Sequence, residues 1–137
     1  MRRTASLFVL LTMLLLGGCA TNQRSDMLTI TLNAYANAIR WGDIEGAMEF
    51  IDPPLRTAHP VSKAYLERYK QIRVSEYDDG NGPLPIGSDE IKQVVHISFV
   101  DNSTQSERSV IDHQVWRYDA DKKHWWLTTG LPDIGQN

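Results

Sequence analysis

Helical periodicity first and strand periodicity second predict an α+β domain, with N-terminal helices packed on one face of a curved antiparallel sheet. Three observations carry that expectation. Apolar residues recur at helical spacing between positions 26 and 51. They alternate at spacing two between 91 and 99, and turn-forming clusters separate the strand-like runs after position 78. The composition, 42% hydrophobic and 23% charged over 137 residues, is that of an ordinary globular chain.

The chain opens on Met1-Arg2-Arg3, a short basic segment. An apolar run follows from Leu7 to Leu16, broken only by Thr12, and Leu16-Gly17-Gly18-Cys19 closes it. As a helix this core of about a dozen residues is roughly 18 Å long, short for a hydrocarbon layer of about 30 Å, so a permanent transmembrane span is disfavoured. Two small residues before the cysteine let a peptidase approach the backbone, and cleavage there leaves the single thiol of the chain at the new N-terminus.

These residues resemble the bacterial lipoprotein signal, whose lipobox is a leucine, two small residues and a cysteine. The resemblance implies diacylglyceryl attachment to the Cys19 sulfur, cleavage between Gly18 and Cys19, and acylation of the freed amine by a palmitate-type chain. Three acyl chains at about 0.8 kcal/mol per buried methylene anchor a protein essentially irreversibly. Ala20 stands where family members retained at the inner membrane often carry Asp, so the resemblance implies a cell-envelope location at the outer membrane, facing the periplasm. The competing reading is a plain secretory signal with an incidental cysteine. Residues 1–18 are then the leader and 19–25 the lipidated N-terminus and a polar tether. The tether, Thr21 to Ser25, reaches under about 20 Å. Residues 26–137 form one domain.

Of the 14 basic residues, Arg2 and Arg3 belong to the leader; the other 12 against 17 acidic residues leave the mature chain at −5. An acidic domain without a basic run is a poor binder of phosphate backbones, which argues against nucleic acid as a partner. One cysteine excludes a disulfide framework and a multi-cysteine zinc site. A mature chain of this size buries roughly two-thirds of its extended surface, enough for a single core.

Asp26 to Trp41 reads as an amphipathic helix, with Leu28, Leu32, Tyr35 and Ile39 in one stripe. Ser25 or Asp26 can cap its start, and Gly42 can stop it in a left-handed conformation. Asp43 caps a second helix whose face is Ile44, Ala47, Met48 and Ile51, and Asp52-Pro53-Pro54 is expected to end it. Val61, Tyr65, Leu66 and Tyr69 suit a third short helix after Pro60. Gln71 to Tyr77 is a candidate strand, followed by the turn-rich Asp78-Asp79-Gly80-Asn81-Gly82-Pro83. From Ile91 to Phe99 the residues Ile91, Val95, Ile97 and Phe99 share one face, with Lys92, His96 and Ser98 opposite. Asp101 to Thr104 turns the chain into a strand from Glu107 to Tyr118, and Asp119 to Lys122 turns it into another from His124 to Thr129.

The series Tyr35…Arg40-Trp41-Gly42-Asp43…Ala47…Phe50, then Pro53-Pro54, then Trp116-Arg117-Tyr118-Asp119…Trp125-Trp126-Leu127 resembles the nuclear transport factor 2-like superfamily. The resemblance covers nearly all of residues 26–130 and implies a cone, a strongly bent antiparallel sheet wrapped around an N-terminal helix. It rests on element order and the Gly-Asp helix break; another α+β sandwich is the competing architecture.

No catalytic motif stands out, and no catalytic residue is assigned. The twelve positions from Asp79 to Glu90 superficially match a calcium loop but place Pro83 fifth and Leu84 where the sixth position needs Gly. His59, His96, His113 and His124 include no pair at helical metal spacing; solvent-facing histidines are the favoured reading over a three-ligand site assembled across strands, and neither a metal nor a cofactor is expected. Asn102-Ser103-Thr104 matches a glycosylation acceptor and reads as a turn. Trp116, Tyr118, Trp125 and Trp126 cluster within eleven positions; adjacent Trp125 and Trp126 must face opposite sides of a strand, so the bland reading is core packing with a covered edge, and the four residues are the candidate contact patch if a contact surface exists here.

Two functions fit. One is a non-catalytic binding or structural module whose partners are the membrane, through the lipid on Cys19, and an envelope protein, a second copy or a small apolar ligand. The other is an enzyme like the isomerase and cyclase branches of the same superfamily, in which a carboxylate or His base sits at the cone mouth. For that role the candidate pocket residues are Asp112 or His113 with Tyr65 or Tyr69.

Overall fold

The computed structural model describes residues 2–135, with side chains from Cys19 onward. Four helices precede the sheet: α1 (Arg2–Trp41), α2 (Ile44–Met48), α3 (Pro53–Ala58) and α4 (Lys63–Tyr69). Five strands follow: β1 (Ile72–Asp78), β2 (Leu84–Pro85), β3 (Glu90–Asp101), β4 (Glu107–Asp119) and β5 (His124–Leu127). All pair antiparallel in the order β1-β3-β4-β5, with β2 on the β1 side of β3. The sheet curls against the helices, so the α+β class and the helix-then-strand order match expectation. The leader and its cleavage position at Gly18 fall on residues whose side chains lie outside the described set.

Residues 19–25 are not an extended tether. They belong to α1, which runs unbroken through Ser25 and Asp26. Nothing from Ala20 to Asp26 is a Gly or Pro, and Thr29 spends its hydroxyl on the Ser25 carbonyl at 3.3 Å, so no local signal stops the helix there. The expected stop at Gly42 is present: φ is +76°, Gly42 donates to the Ile39 carbonyl at 3.3 Å and Asp43 to the Ala38 carbonyl at 2.9 Å. That pair of reversed bonds closes the last turn of α1. Asp43 then caps α2 by accepting from the Gly46 amide at 2.9 Å, and a side chain at Gly46 would collide with the capping carboxylate.

Asp52-Pro53-Pro54 begins α3 instead of ending α2, which has already closed at Met48. Proline is tolerated in a first helical turn because its missing amide has no partner there. Before α3, Ile51 bridges Leu127 in parallel, with the Asp52 amide on the Leu127 carbonyl at 2.9 Å and the Leu127 amide on Phe50 at 2.7 Å. This segment covers the open edge of β5. An ion pair from Arg117 to Asp52 at 2.9 Å holds the same corner.

The core lies between α1 and the sheet. Tyr35, Ile39, Ile44 and Ala47 from the helices meet Ile91, Val95, Ile97, Phe99, Trp116 and Leu127 from the strands. Tyr35, Phe50 and Trp116 contact one another edge to face, at centroid distances of 5.2 to 6.3 Å. In β1 the register shifts between Val74 and Glu76. Ile72 and Val74 point inward before that bulge and Tyr77 after it, so one extra residue moves the inward parity from even to odd.

Candidate functional site

The helix-facing side of β3 and β4 alternates buried with exposed residues, and two buried rungs of it are polar. Gln93 pairs with Gln114, and Val95 with Asp112, between the apolar rungs Ile91–Trp116 and Ile97–Val110. Gln114 organises them. Its Nε2 donates to Asp112 Oδ2 at 2.7 Å and to the Tyr77 hydroxyl at 3.2 Å, while its Oε1 accepts from Trp116 Nε1 at 3.1 Å. The bulge in β1 delivers Tyr77 to this contact, and Arg40 fixes the ring from the end of α1, donating to the Tyr77 carbonyl at 3.0 Å.

Burial sets the protonation of the cluster. Desolvation holds the Asp112 carboxyl above the ordinary carboxylate range, against the opposing pull of the Gln114 hydrogen bond and of His113. Burial pushes Tyr69 and Tyr77 up to about 12, in Tyr77 against the bond from Gln114. Tyr35 and Tyr65 are raised for the same first reason, with Asp112 adding to both. These phenols therefore stay neutral at physiological pH; the Tyr65 and Tyr69 hydroxyls donate to main-chain carbonyls, and that of Tyr77 accepts from Gln114. Among the described residues three buried side-chain atoms lack a hydrogen-bond partner: the Tyr35 hydroxyl, Gln93 Oε1 and His124 Nε2.

Of the candidate pocket residues, only Asp112 enters this hydrogen-bonded cluster. His113, next along β4, lies exposed on the outer side, as strand alternation requires. Tyr65 and Tyr69 stack at 6.1 Å, but their hydroxyls are committed to main-chain carbonyls, Tyr65 to Pro132 and Tyr69 to Ile39, each at 2.9 Å. They fasten α4 to the C-terminal segment and to α1. A cavity of about 380 Å³ opens beside Tyr65 and Arg68, lined also by Ser62, Gln71 and Asp133; Asp112 does not line it. Gln93, Gln114, Tyr77 and Tyr35 were missed from sequence. For the two glutamines a signal existed, because each falls in the inward phase of a strand between residues that must be core.

The four residues of the candidate contact patch do not share a surface. Trp116 and Trp125 are buried at 0% and 2% exposure, because both follow the inward phase of their strands. Tyr118 is half-buried and packs on Trp125 at 5.1 Å. Trp126 points to the other side of β5, against the His124 ring at 4.1 Å with the Lys122 ammonium 5.7 Å from its centroid. Among the described residues the most exposed large apolar side chain is Trp41, at 85%, immediately before the α1 stop.

Cys19 is exposed and unpaired with any other cysteine. Among the described residues no His, Cys, Asp or Glu cluster has the form of a metal site, and no helix is long and apolar enough to cross a membrane. No family model, curated protein or solved structure matches the chain significantly.

Proposed function

We propose that this chain is a lipid-anchored bacterial envelope lipoprotein, and that its domain is a non-catalytic binding or structural module on a nuclear transport factor 2-like cone. The anchor follows from Leu16-Gly17-Gly18-Cys19 behind a basic and then apolar leader. The curled antiparallel sheet over an N-terminal helix is compatible with the cone. One observation carries the non-catalytic reading. Between α1 and the sheet the protein's own side chains pack closely, with Tyr35 and Trp116 at 0% exposure and Gln114 at 1%, which leaves no room there for a substrate. Placement at the outer membrane extends the same reading through Ala20.

Metabolic labelling with a fatty acid tests the anchor. Wild type takes up label and fractionates with membranes, whereas Cys19→Ala does neither; a Cys19→Ala chain that remains in the membrane fraction removes the proposal. Chemical cross-linking in intact cells, with the domain in place, tests the module: it traps a second copy or an envelope protein.

A second reading, an isomerase- or cyclase-like enzyme, draws on Asp112, a carboxyl held toward its neutral form beside the unpartnered Tyr35 hydroxyl. It requires Gln114 and Trp116 to move aside. Small cyclic ketones that raise the melting temperature of wild type and not of Asp112→Asn support it; no shift with either leaves the module.

A further inference from the structure

The feature that neither the core nor the polar cluster explains is Arg24. It lies five residues after Cys19 on the same helix and is tied to the far end of the chain at several points. Its Nη2 donates to the Ser88 carbonyl at 2.6 Å, and its Nη1 pairs with Asp89 Oδ1 at 3.2 Å. The guanidinium lies 4.6 Å from the Tyr118 ring centroid and 5.1 Å from that of Trp125. Trp125 Nε1 returns a bond to the Arg24 carbonyl at 3.3 Å. An arginine that is stacked and hydrogen-bonded on both its side chain and its backbone fixes position as well as charge.

The clamp sets a direction. α1 passes from Asp89 and Trp125 at Arg24 to Tyr77 at Arg40, so the segment upstream of Arg24 leaves the domain past the start of β3. At 1.5 Å per residue, Cys19 stands only about 7.5 Å beyond the clamp. The polar zone on each side of a bilayer is roughly 5–7.5 Å deep, half the difference between a total of about 40–45 Å and a core of about 30 Å. A lipid on Cys19 therefore brings the elements level with Arg24 to the headgroups.

Those elements carry groups suited to that place. Leu84 and Ile86, exposed at 51% and 47%, flank the loop whose Ser88 and Asp89 hold Arg24. The loop is itself pinned, Ile86 donating to the Glu90 carbonyl at 3.1 Å and Tyr118 to the Asp89 carbonyl at 2.7 Å. On the other side of the start of β3, the turn after β4 presents exposed Lys122 and Lys123 beside half-buried Trp126. Asp89 pairs with Arg24 and Asp119 accepts from the Asp121 and Lys122 amides, while Glu90 and Asp121 are exposed beside them, so apolar and aromatic contact rather than net positive charge is what this end offers a membrane. Exposed aliphatics, a tryptophan and snorkelling lysines are the side chains of a membrane interface.

We propose that this end of the domain, the 83–89 loop with the β4–β5 turn, lies against the phospholipid surface, and that Arg24 holds it there by preventing the domain from swinging on its anchor. The inference rests on lipidation of Cys19. It adds an orientation that lipidation alone does not supply.

The test uses the lipidated chain in phosphatidylethanolamine–phosphatidylglycerol vesicles, with an environment-sensitive fluorophore on Ile86→Cys or, at the opposite end of the sheet, on Thr104→Cys. Label at 86 is expected to be several-fold less accessible to aqueous iodide than label at 104, and blue-shifted. Adding Arg24→Ala, or the milder Arg24→Lys, brings the two positions toward equal quenching while fatty-acid incorporation stays unchanged. Equal quenching in the lipidated wild-type background overturns the orientation and leaves the anchor standing. A chain that takes up no fatty acid overturns both. Protection of residue 86 in whole cells but not in pure lipid assigns this end to a protein partner and overturns the membrane contact.

Discussion

The two sides of the β3–β4 hairpin are made by the same twenty-five residues in one alternating register, yet they follow opposite rules. The buried positions of the helix-facing side are apolar except for Gln93, Asp112 and Gln114, whose polar atoms are largely bonded within the cluster. The outer side is mainly polar and charged; among its apolar residues Val100 and Val115 are half-buried, while Val94 and Ile111, exposed at 40% and 58%, sit across from His113 and His96. An exposed isoleucine costs little, since most folded surfaces carry such residues. A buried glutamine costs much unless its amide is satisfied. The inner polar rungs therefore constrain the fold far more tightly than the outer apolar ones.

The comparison can be broken most severely at Trp116. Trp116→Ala is expected to lower unfolding free energy by about 3–5 kcal/mol, since it empties the aromatic contact with Tyr35 and Phe50 and strips Gln114 Oε1 of its donor. Urea denaturation with an unchanged slope and a reduced midpoint checks this. Gln114→Ala comes next, at about 2–3 kcal/mol, because it leaves Asp112 and the Trp116 indole without their partner in a buried site. Gln114→Leu, which restores volume and no hydrogen bond, separates cavity from desolvation.

The pH dependence sharpens the contrast between a buried and an exposed carboxylate. Asp112 has a folded pKa above its unfolded value, so the native state binds more protons than the unfolded one between them. Its contribution is complete below the ordinary value near 3.8 and is lost as pH rises through the raised folded value. Asp112→Asn should flatten that decline, gaining on wild type as pH increases from 4. Asp101 behaves oppositely: hydrogen bonds from Ser103 and Thr104 lower it from 3.8 to about 2, so its contribution disappears only as pH falls across that interval. The two windows do not overlap, and urea midpoints measured across pH resolve them. The smallest effect belongs to the outer side, where Ile111→Thr is expected to stay within about 0.5 kcal/mol of wild type by the same measurement. A larger change would mean that something covers Ile111 in solution.

Much of this was legible in the amino-acid order. The alternation Ile91, Val95, Ile97, Phe99 placed β3 and its inward face, and the stripe Leu28, Leu32, Tyr35, Ile39 placed the buried side of α1. Adjacency alone put Trp125 and Trp126 on opposite sides of β5, and Asp112 opposite His113. The four aromatic residues of the candidate patch do not assemble into one surface, because Trp116 and Trp125 share the inward phase and go into the core while Trp126 lies on the other side of β5. The candidate pocket came apart for a different reason. Whether a tyrosine hydroxyl faces a carboxylate or a main-chain carbonyl depends on where α4 docks, and no spacing encodes that.

Local chemistry was sufficient wherever one residue's backbone preference settles the outcome. Gly42 ends α1 because it alone tolerates a positive φ there, and Asp43 caps α2 because its carboxylate reaches an amide three residues on. It failed where a distant segment supplies the deciding energy. The bulge that turns Tyr77 inward and the role of Asp52-Pro53-Pro54 as a start beside β5 depend on other strands being in place. Tertiary structure decided them, because a hydrogen bond or ring contact spanning dozens of residues outweighs propensities worth a fraction of a kcal/mol per residue.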